Sequence, residues 1–264
     1  MVSRATDNLA VPLLEVFSGI QGEGLLVGER QVFVRTVGCE LGCRFCDTPA
    51  SRGPAAYCRL ELAPGSREFE QVANPVPLAQ VAAALARLQE FPALHHSVAL
   101  TGGEPLHHPN FVRALAPAAR QLSLQLFLET NGTLSEALAD CLEALDWVAM
   151  DLKLPSATGR GELWAEHERF LAVLQEYWRR DGRVEAFAKA VVARETSDEE
   201  IGRVASLAEA VGAGFALVLQ PVTRCPGGPA PPKPRRLLQM QAQARRIHAR
   251  TLVIPQVHRL MAQD

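Results

Sequence analysis

Over most of its length the chain alternates short apolar segments, typical of buried strands, with longer segments of helical periodicity. In the first helical segment, Leu78, Val81, Leu85 and Leu88 fall on one face. Counted from residue 31, the pattern predicts six strands, most of them followed by a helix, and this alternation indicates a parallel sheet. Six units rather than eight predict an α/β fold, a partial (β/α)6 TIM-type barrel with a wide side opening.

The predicted elements belong to a single domain that covers residues 1–264. The barrel strands cover residues 31–37, 97–101, 124–129, 147–152, 183–192 and 214–219, and a strand at residues 13–18 precedes them. Residues 50–75 predict an irregular insertion, because they are rich in Pro, Gly, Arg and Ser and show little periodicity. A proline-rich linker at 223–234 leads to a C-terminal helix at about 235–250 and a strand-like tail at 251–260.

Three cysteines, Cys39, Cys43 and Cys46, directly follow the first barrel strand. Closed zinc sites and fully ligated iron–sulfur clusters take four protein ligands, and no fourth follows here at matching spacing. The motif therefore suggests a 4Fe-4S cluster with one iron left for a ligand that is not protein. Cys58 is the alternative fourth ligand, although its distance from Cys46 fits no common pattern.

Composition narrows the classes of function. The chain has 264 residues, of which 48% are hydrophobic and 21% charged, so we expect a globular protein with a sizeable core. A net charge of −2 gives no reason to expect nucleic-acid binding. No apolar stretch approaches the ~20 residues of a membrane span, and we expect a cytoplasmic protein without a membrane partner. Cysteines are kept reduced there, which favours a metal site over disulfides.

Polar residues follow the predicted strands, and one barrel mouth accounts for them. The set comprises Thr101, Glu104, Glu129, Asn131, Asp151, Lys153 and Gln220. Near the N-terminus, Gln21 and Glu23 alternate with glycines and either contact a ligand or lie solvated in a glycine-rich turn. Arg35 interrupts an apolar strand, where it needs an anionic partner that is either a protein group or a substrate carboxylate.

The cysteine spacing, combined with Thr101-Gly102-Gly103-Glu104-Pro105 after the second barrel strand, resembles the radical S-adenosylmethionine (SAM) superfamily. The resemblance implies that the open iron binds SAM, and that an electron from the cluster cleaves SAM to a 5′-deoxyadenosyl radical. The cofactors would then carry the difficult chemistry, while the protein positions and shields the radical.

A narrower resemblance rests on residues 17–24, on Phe33-Val34-Arg35, on Cys46-Asp47-Thr48 and on the segments 219–222 and 254–258. Together they are similar to the 7-carboxy-7-deazaguanine synthase family. Its members convert 6-carboxy-5,6,7,8-tetrahydropterin to 7-carboxy-7-deazaguanine with loss of ammonia, on the route to queuosine. The chain departs from the family where Pro49 and a long insertion follow Thr48.

The resemblance implies that the substrate is contacted by Ile20, Gln21, Gly22, Glu23, Arg35, Thr101 and the terminal residue Asp264. It implies that SAM is contacted by Phe45, Cys46, Asp47, Gly103, Asn131, Asp151, Leu152, Lys153, Gln220, Pro221 and Val222. It also implies that Thr48 occupies the position that binds Mg²⁺. Lys153 is equally well explained as a structural partner of Asp151. For Glu129 we expect membership in an ion pair within the barrel.

The implied partners are a small pterin substrate, a reducing partner such as a flavodoxin, and a second copy in a homodimer. Two other interpretations remain at this point: a glycyl-radical-enzyme activating enzyme or other radical SAM enzyme, and a non-catalytic zinc or iron–sulfur binding module.

We expect only structural roles for the other histidines and cysteines. His95, His96, His107 and His108 are expected on surface loops, Cys141 in the core, and Cys225 as an exposed thiol of the linker.

Overall fold

The computed structural model describes residues 9–261. Its strands are β1 (Ala10–Val11), β2 (Leu13–Ile20), β3 (Arg30–Thr36), β4 (Tyr57–Glu61), β5 (Phe69–Ala73), β6 (Val76–Pro77), β7 (Ser97–Gly102), β8 (Gln125–Thr130), β9 (Trp147–Asp151), β10 (Glu185–Val192), β11 (Ala216–Pro221) and β12 (Thr251–Val253). Its helices are α1 (Leu78–Leu88), α2 (Pro109–Gln121), α3 (Ser135–Cys141), α4 (Pro155–Thr158), α5 (Trp164–Arg179), α6 (Asp198–Val211), α7 (Pro234–Arg245) and α8 (Val257–Leu260).

Ten of these strands form one sheet, in the order β12-β11-β10-β9-β8-β7-β3-β2-β4-β5. From β3 to β12 every neighbouring pair is parallel, and this part contains the six predicted barrel strands. β2 joins it antiparallel to β3. The predicted partial TIM-type barrel is confirmed, and β12 adds a further parallel strand to it.

Alternation along the strands explains the two apolar layers of the sheet. Val32 and Val34 of β3 pack outward into the large cluster beneath the helices, whereas Phe33 between them faces the barrel interior. In the interior the Phe33 ring stacks on that of Phe17 with centroids 5.1 Å apart. Helix α6 begins with a capping box, formed by Ser197 and Glu200.

The predicted irregular insertion at 50–75 is wrong. Most of it forms a regular β-hairpin of β4 and β5, and β4 pairs parallel to β2 so that the hairpin widens the sheet. Cys58 lies within β4, fully buried among apolar side chains, and burial raises its thiol pKa to about 12. Its position in the apolar core argues against the alternative of Cys58 as the fourth cluster ligand.

Two further expectations need correction. His95 was expected on the surface but is 3% exposed; its ring lies 2.8 Å from Ser18 Oγ and 2.7 Å from Gln89 Oε1, so it packs behind β2. The strand-like tail is strand only over β12, after which the chain turns into the short helix α8. Within the described residues, none of the helices is both long and apolar enough to cross a membrane.

Candidate active site

A cavity of about 410 Å³ lies inside the barrel, at the end where the parallel strands finish. Most of the residues predicted to bind ligands line it together: Ile20, Gln21, Gly22, Glu23, Arg35, Cys39, Cys43, Phe45, Cys46, Asp47, Thr48, Thr101, Gly103, Asn131, Asp151, Lys153, Gln220 and Val222. Leu152 is instead buried in the apolar core and, like Pro221, is not part of this lining. Asp264 lies outside the described residues.

The three cysteines of the loop after β3 face this cavity as free thiols. Left-handed backbone at Gly38 (φ 96°) and Gly42 (φ 54°) lets the loop turn tightly between them. Burial raises the pKa of Cys43, Lys153 lowers it, and negative charge on Cys39 and Cys46 raises it further. The three sulfurs are therefore close enough to influence one another electrostatically.

Arginines from other segments hold the backbone of the cysteine loop. Arg52 donates a short hydrogen bond to the carbonyl of Cys43, and Arg160 donates to that of Gly42 at 3.2 Å. The loop is thus anchored through its main chain, and its thiols remain directed at the cavity.

Gln21 and Glu23 form part of the cavity wall, so the alternative of two solvated side chains is wrong. Gln21 is 3% exposed and donates to Gln31 Oε1 at 2.9 Å and to Glu129 Oε1 at 2.7 Å. The other Glu129 oxygen accepts from Thr101 Oγ1 at 2.7 Å. Glu129, expected in an ion pair, thus accepts hydrogen bonds from two neutral groups and links two predicted substrate residues.

A chain of charges runs from Glu23 across the cavity floor. Glu23 pairs closely with Lys189, which lies 3.2 Å from Asp151 Oδ1, and Asp151 Oδ2 accepts from Lys153 at 2.6 Å. Burial alone would raise the pKa of Glu23, but the Lys189 charge, together with hydrogen bonds from Lys189 and Gln256, outweighs burial and the pKa falls to about 2. Lys153 also lies 5.4 Å from the Phe45 ring centroid, so it is both a partner of Asp151 and part of the cavity lining.

Sequence reasoning missed Lys189, although a signal was present. A lysine in the otherwise apolar run Ala186-Phe187-Ala188-Lys189-Ala190-Val191 needs an anionic partner for the same reason as Arg35. Burial lowers the pKa of Lys189, but Asp151, Glu23 and Glu129 together raise it well above its ordinary value.

Arg35 is bound by protein groups on two sides. Its Nε donates to Glu15 Oε1 at 2.9 Å and its Nη1 donates to Thr48 Oγ1 at 3.0 Å. The guanidinium still lines the cavity, with Cζ 5.7 Å from the Phe17 ring centroid. The structural ion pair is therefore present, and it holds the arginine where a ligand carboxylate can also reach it.

Glu104 of the Gly-Gly-Glu-Pro motif organises the loops rather than lining the cavity. Its carboxylate is fully buried and accepts from the backbone N–H groups of Leu106 (3.0 Å) and Asn131 (2.8 Å) and from Thr130 Oγ1 (2.9 Å). Burial raises its pKa to about 7 against these hydrogen bonds. Before it, Gly103 packs so closely that a Cβ would lie 2.1 Å from the carbonyl oxygen of Gly38.

The segment after β12 completes the cavity. Val257 N donates to the carbonyl of Gly22 at 2.8 Å, and Gln256 Nε2 donates to Glu23 Oε1 at 2.6 Å and to Asp47 Oδ2 at 3.2 Å. His258 Nε2 lies 4.0 Å from the same Asp47 oxygen. Gln256 and His258 were noted only as a matching motif; nothing in the sequence shows that this distant segment returns to Gly22.

On the opposite wall, Gln220 at the end of β11 is 2% exposed, and its Oε1 has no hydrogen-bond partner among the described residues. A buried acceptor without a partner is costly, so this oxygen marks a place where a ligand donor is expected.

The Radical SAM superfamily model matches residues 33–208. A 7-carboxy-7-deazaguanine synthase of Geobacter sulfurreducens is 43% identical over 252 residues, which are 95% of this chain and 97% of that protein. One of Methanothermobacter thermautotrophicus is 35% identical over 268 residues, 96% and 98% of the two chains. The crystal structure of QueE from Escherichia coli aligns with a TM-score of 0.62 at 20% identity, covering 98% of this chain and all of that one (100%), and this likeness concerns the fold.

Proposed function

Since the chain belongs to the radical SAM superfamily and, within it, to the 7-carboxy-7-deazaguanine synthase family, we propose that it converts 6-carboxy-5,6,7,8-tetrahydropterin to 7-carboxy-7-deazaguanine. Ammonia is released, and the product feeds queuosine and related deazapurine biosynthesis. The observation that carries the proposal is one cavity that holds both the three free thiols and the Gln21–Glu129–Thr101 chain.

The residues fit the cofactors of the superfamily. Cys39, Cys43 and Cys46 offer three sulfur ligands to a 4Fe-4S cluster and leave one iron for SAM. Gln220 offers an unpaired acceptor, and Gly103 keeps its part of the cavity wall free of a side chain. When bound, cluster and SAM supply the one-electron chemistry, while Asp151 and Lys153 provide opposite charges of the kind that the amino and carboxylate groups of SAM require.

The other wall suits a pterin. The edge of a pterin ring displays amide and amino groups, and these can pair with Gln21 and with the carboxylate of Glu129. Burial raises the pKa of Glu129, Lys189 lowers it and Glu23 raises it. Arg35 lines the cavity, where its guanidinium can take the substrate carboxylate as a fork. These residues position the substrate; none of them is assigned a chemical step.

We further propose that Thr48 contributes to a Mg²⁺ site. Its hydroxyl oxygen suits a hard cation, and Asp47 Oδ1 lies 3.2 Å away and adds negative charge. Arg35 donates to the same hydroxyl, whose oxygen has a second lone pair that can face a cation. A flavodoxin-like reductant and a homodimer belong to the same proposal, on the grounds of family resemblance.

The proposal is tested by anaerobic reconstitution with iron and sulfide, followed by reduction in the presence of SAM and 6-carboxytetrahydropterin, with and without Mg²⁺. We expect 5′-deoxyadenosine and a deazapurine with a carboxyl group, both detected by mass spectrometry, and faster product formation with Mg²⁺. Cleavage of SAM without a deazapurine product would leave a radical SAM enzyme with another substrate.

A matched cysteine pair tests the cluster ligands. Cys43→Ala should abolish cluster absorbance and lower the iron content, whereas Cys58→Ala, at a buried apolar position, should leave both unchanged. Equal loss of iron in the two variants would contradict the open-iron arrangement.

A further inference from the structure

Glu40, the residue directly after the first cysteine of the loop, joins three segments at the barrel mouth. Its Oε1 accepts from Asn131 Nδ2 at 2.8 Å, and its Oε2 accepts from His107 Nε2 at 2.8 Å. Asn131 lies in the turn after β8, and His107 lies in the segment after β7. Glu40 itself does not line the cavity, whereas Asn131 does, so Glu40 can act on a ligand only through its partners.

The side-chain amide of Asn131 is held in a single orientation. Glu40 accepts from its nitrogen, and Thr133 N donates to its oxygen at 3.0 Å. An ionised carboxylate only accepts hydrogen bonds and a backbone N–H only donates them, so a flipped amide would lose both. The Thr133 hydroxyl lies between the two residues, 2.6 Å from Asn131 Oδ1 and 3.1 Å from Glu40 Oε1.

One donor of this amide is left for a ligand. Asn131 is 5% exposed, and the second N–H of its amide has no acceptor among residues 9–261. A buried donor without an acceptor is costly, and a ligand oxygen in the cavity can supply one. Because the amide is fixed before a ligand arrives, binding loses little side-chain freedom at this position.

Glu40 holds the side chain of Asn131, whereas another carboxylate holds its backbone. The backbone N–H of Asn131 donates to Glu104 Oε2 at 2.8 Å, and Glu104 also accepts from Thr130 Oγ1 at 2.9 Å. The turn after β8 therefore keeps its place when Glu40 is removed. Loss of the Glu40 carboxylate should release the amide alone, and this makes its role measurable.

We propose that Glu40 is a positioning residue for SAM binding. It holds the Asn131 amide so that the remaining N–H donates to an oxygen of SAM, and it ties this contact to the loop that carries the cluster cysteines. The inference rests on the proposed function, since it takes SAM as the ligand of the cavity. One side chain of the cysteine motif thus orients the cluster loop and the cofactor contact together.

The test measures the Kd for SAM with the reconstituted enzyme, kept anaerobic and unreduced. Glu40→Ala removes both acceptor oxygens, and we expect a roughly tenfold rise in this Kd, with the iron content of wild type. Glu40→Gln keeps one acceptor oxygen for Asn131 and should lie between wild type and Glu40→Ala. The Kd for 6-carboxytetrahydropterin, measured without SAM, should be unchanged, because the residues proposed to bind it lie on another wall.

A double-mutant cycle distinguishes positioning through Asn131 from a general structural role. Asn131→Ala removes the contact itself and should raise the Kd for SAM at least as far as Glu40→Ala does. The variant with both substitutions should bind SAM no more weakly than Asn131→Ala alone. The matched control is Glu136→Gln, which removes one negative charge from the first turn of α3, outside the cavity lining, and should leave the Kd for SAM unchanged.

An unchanged Kd for SAM in Glu40→Ala, equal weakening for both ligands, or additive effects in the double variant would overturn the role of Glu40. So would an equal rise in Glu136→Gln, which would show an effect of net charge. Loss of iron from Glu40→Ala as complete as that from Cys43→Ala would assign Glu40 to the cluster instead of SAM.

Failure of the proposed function gives a different result. A wild-type enzyme that binds SAM but forms no deazapurine overturns the proposed function and not this inference. A wild-type enzyme that does not bind SAM overturns both.

Discussion

Two carboxylates near the same cavity, the largely buried Glu23 and the fully buried Glu104, differ strongly in their pKa. Burial opposes ionisation in both, yet the pKa of Glu23 falls to about 2 while that of Glu104 rises to about 7. Glu23 has the ammonium group of Lys189 against it, whereas Glu104 has only N–H groups and a hydroxyl. The counter-ion, rather than the number of hydrogen bonds, decides which carboxylate is fully charged at neutral pH.

The difference matches what each group does. Glu23 lines the cavity, where a fixed charge can orient a polar ligand and keep Lys189 in place. Glu104 lies behind the cavity and ties the turn after β7 to the turn after β8 through hydrogen bonds from both turns. A charged pair thus shapes the ligand site, and a carboxyl group that is only about half ionised at neutral pH shapes the loops that frame it.

Removing the counter-ion should have the largest effect. Lys189→Met leaves Glu23 and Asp151 without their shared cation, so we expect a loss of about 3–5 kcal/mol in the free energy of unfolding. Displacement of these groups should slow turnover on the order of 100-fold. Urea denaturation and product formation measure both effects, and Lys189→Arg, which keeps the charge, is the control. A loss under about 1 kcal/mol would show that Lys189 does not govern the pair.

Removing the anion should have a smaller effect, since Lys189 retains Asp151. Glu23→Gln should lose about 1.5–3 kcal/mol at pH 6. The folded-state pKa of Glu23 is below its ordinary 4.5, so its contribution is present above pH 4.5 and is lost as the pH falls toward 2. The gap between wild type and variant should therefore narrow between pH 6 and pH 3 in urea titrations. A gap independent of pH would contradict the lowered pKa.

Glu104→Gln should give the opposite pH trend at a cost of about 1 kcal/mol, because one acceptor oxygen becomes a donor that faces the N–H of Asn131. The folded-state pKa of Glu104 lies above 4.5, so its contribution is fully present below pH 4.5 and is lost as the pH rises through about 7. Stability measured from pH 4.5 to 7.5 should thus fall more steeply in wild type than in the variant. Parallel curves would mean that Glu104 is ionised throughout this range.

Removing an exposed ion pair should have the smallest effect on the free energy of unfolding. Arg203 and Glu168 form an ion pair whose side chains are 45% and 49% exposed. Water screens such a pair, so Arg203→Ala should change the free energy of unfolding by about 0.5 kcal/mol or less. Chemical denaturation beside Lys189→Met measures the contrast directly. A loss comparable to that of Lys189→Met would show that burial is not what makes the Glu23 pair important.

The sequence predicted the barrel well because its strands obey simple patterns. Val32, Phe33 and Val34 lie in a run that is apolar on both faces, since helices cover one side and the barrel interior the other. The three cysteines could be placed at the barrel mouth because they directly follow that strand. Spacing and periodicity are local properties, so both can be recognised from a single sequence.

The missed features depend on partners that are distant in the chain. β5 is largely exposed on both faces, so this strand offered no clean alternation, and the place of the hairpin beside β2 is set by pairing rather than by pattern. His95 is buried because Ser18 and Gln89 satisfy its ring. Gln256 reaches Glu23 only after the whole barrel has been traversed. No local rule reveals contacts of this kind.

A sheet that stops short of closing has two free edges, and each edge presents unpaired backbone groups that another strand could join. Here one edge is β12, three residues long, and the other is β5, whose exposed face includes Glu70 beside the ion-paired Arg87. Short length and charge are the usual defences against edge-to-edge aggregation. The open side of the barrel gives a large ligand a way in. Because its edge strands are short or charged, the same opening does not lead to pairing of strands between molecules.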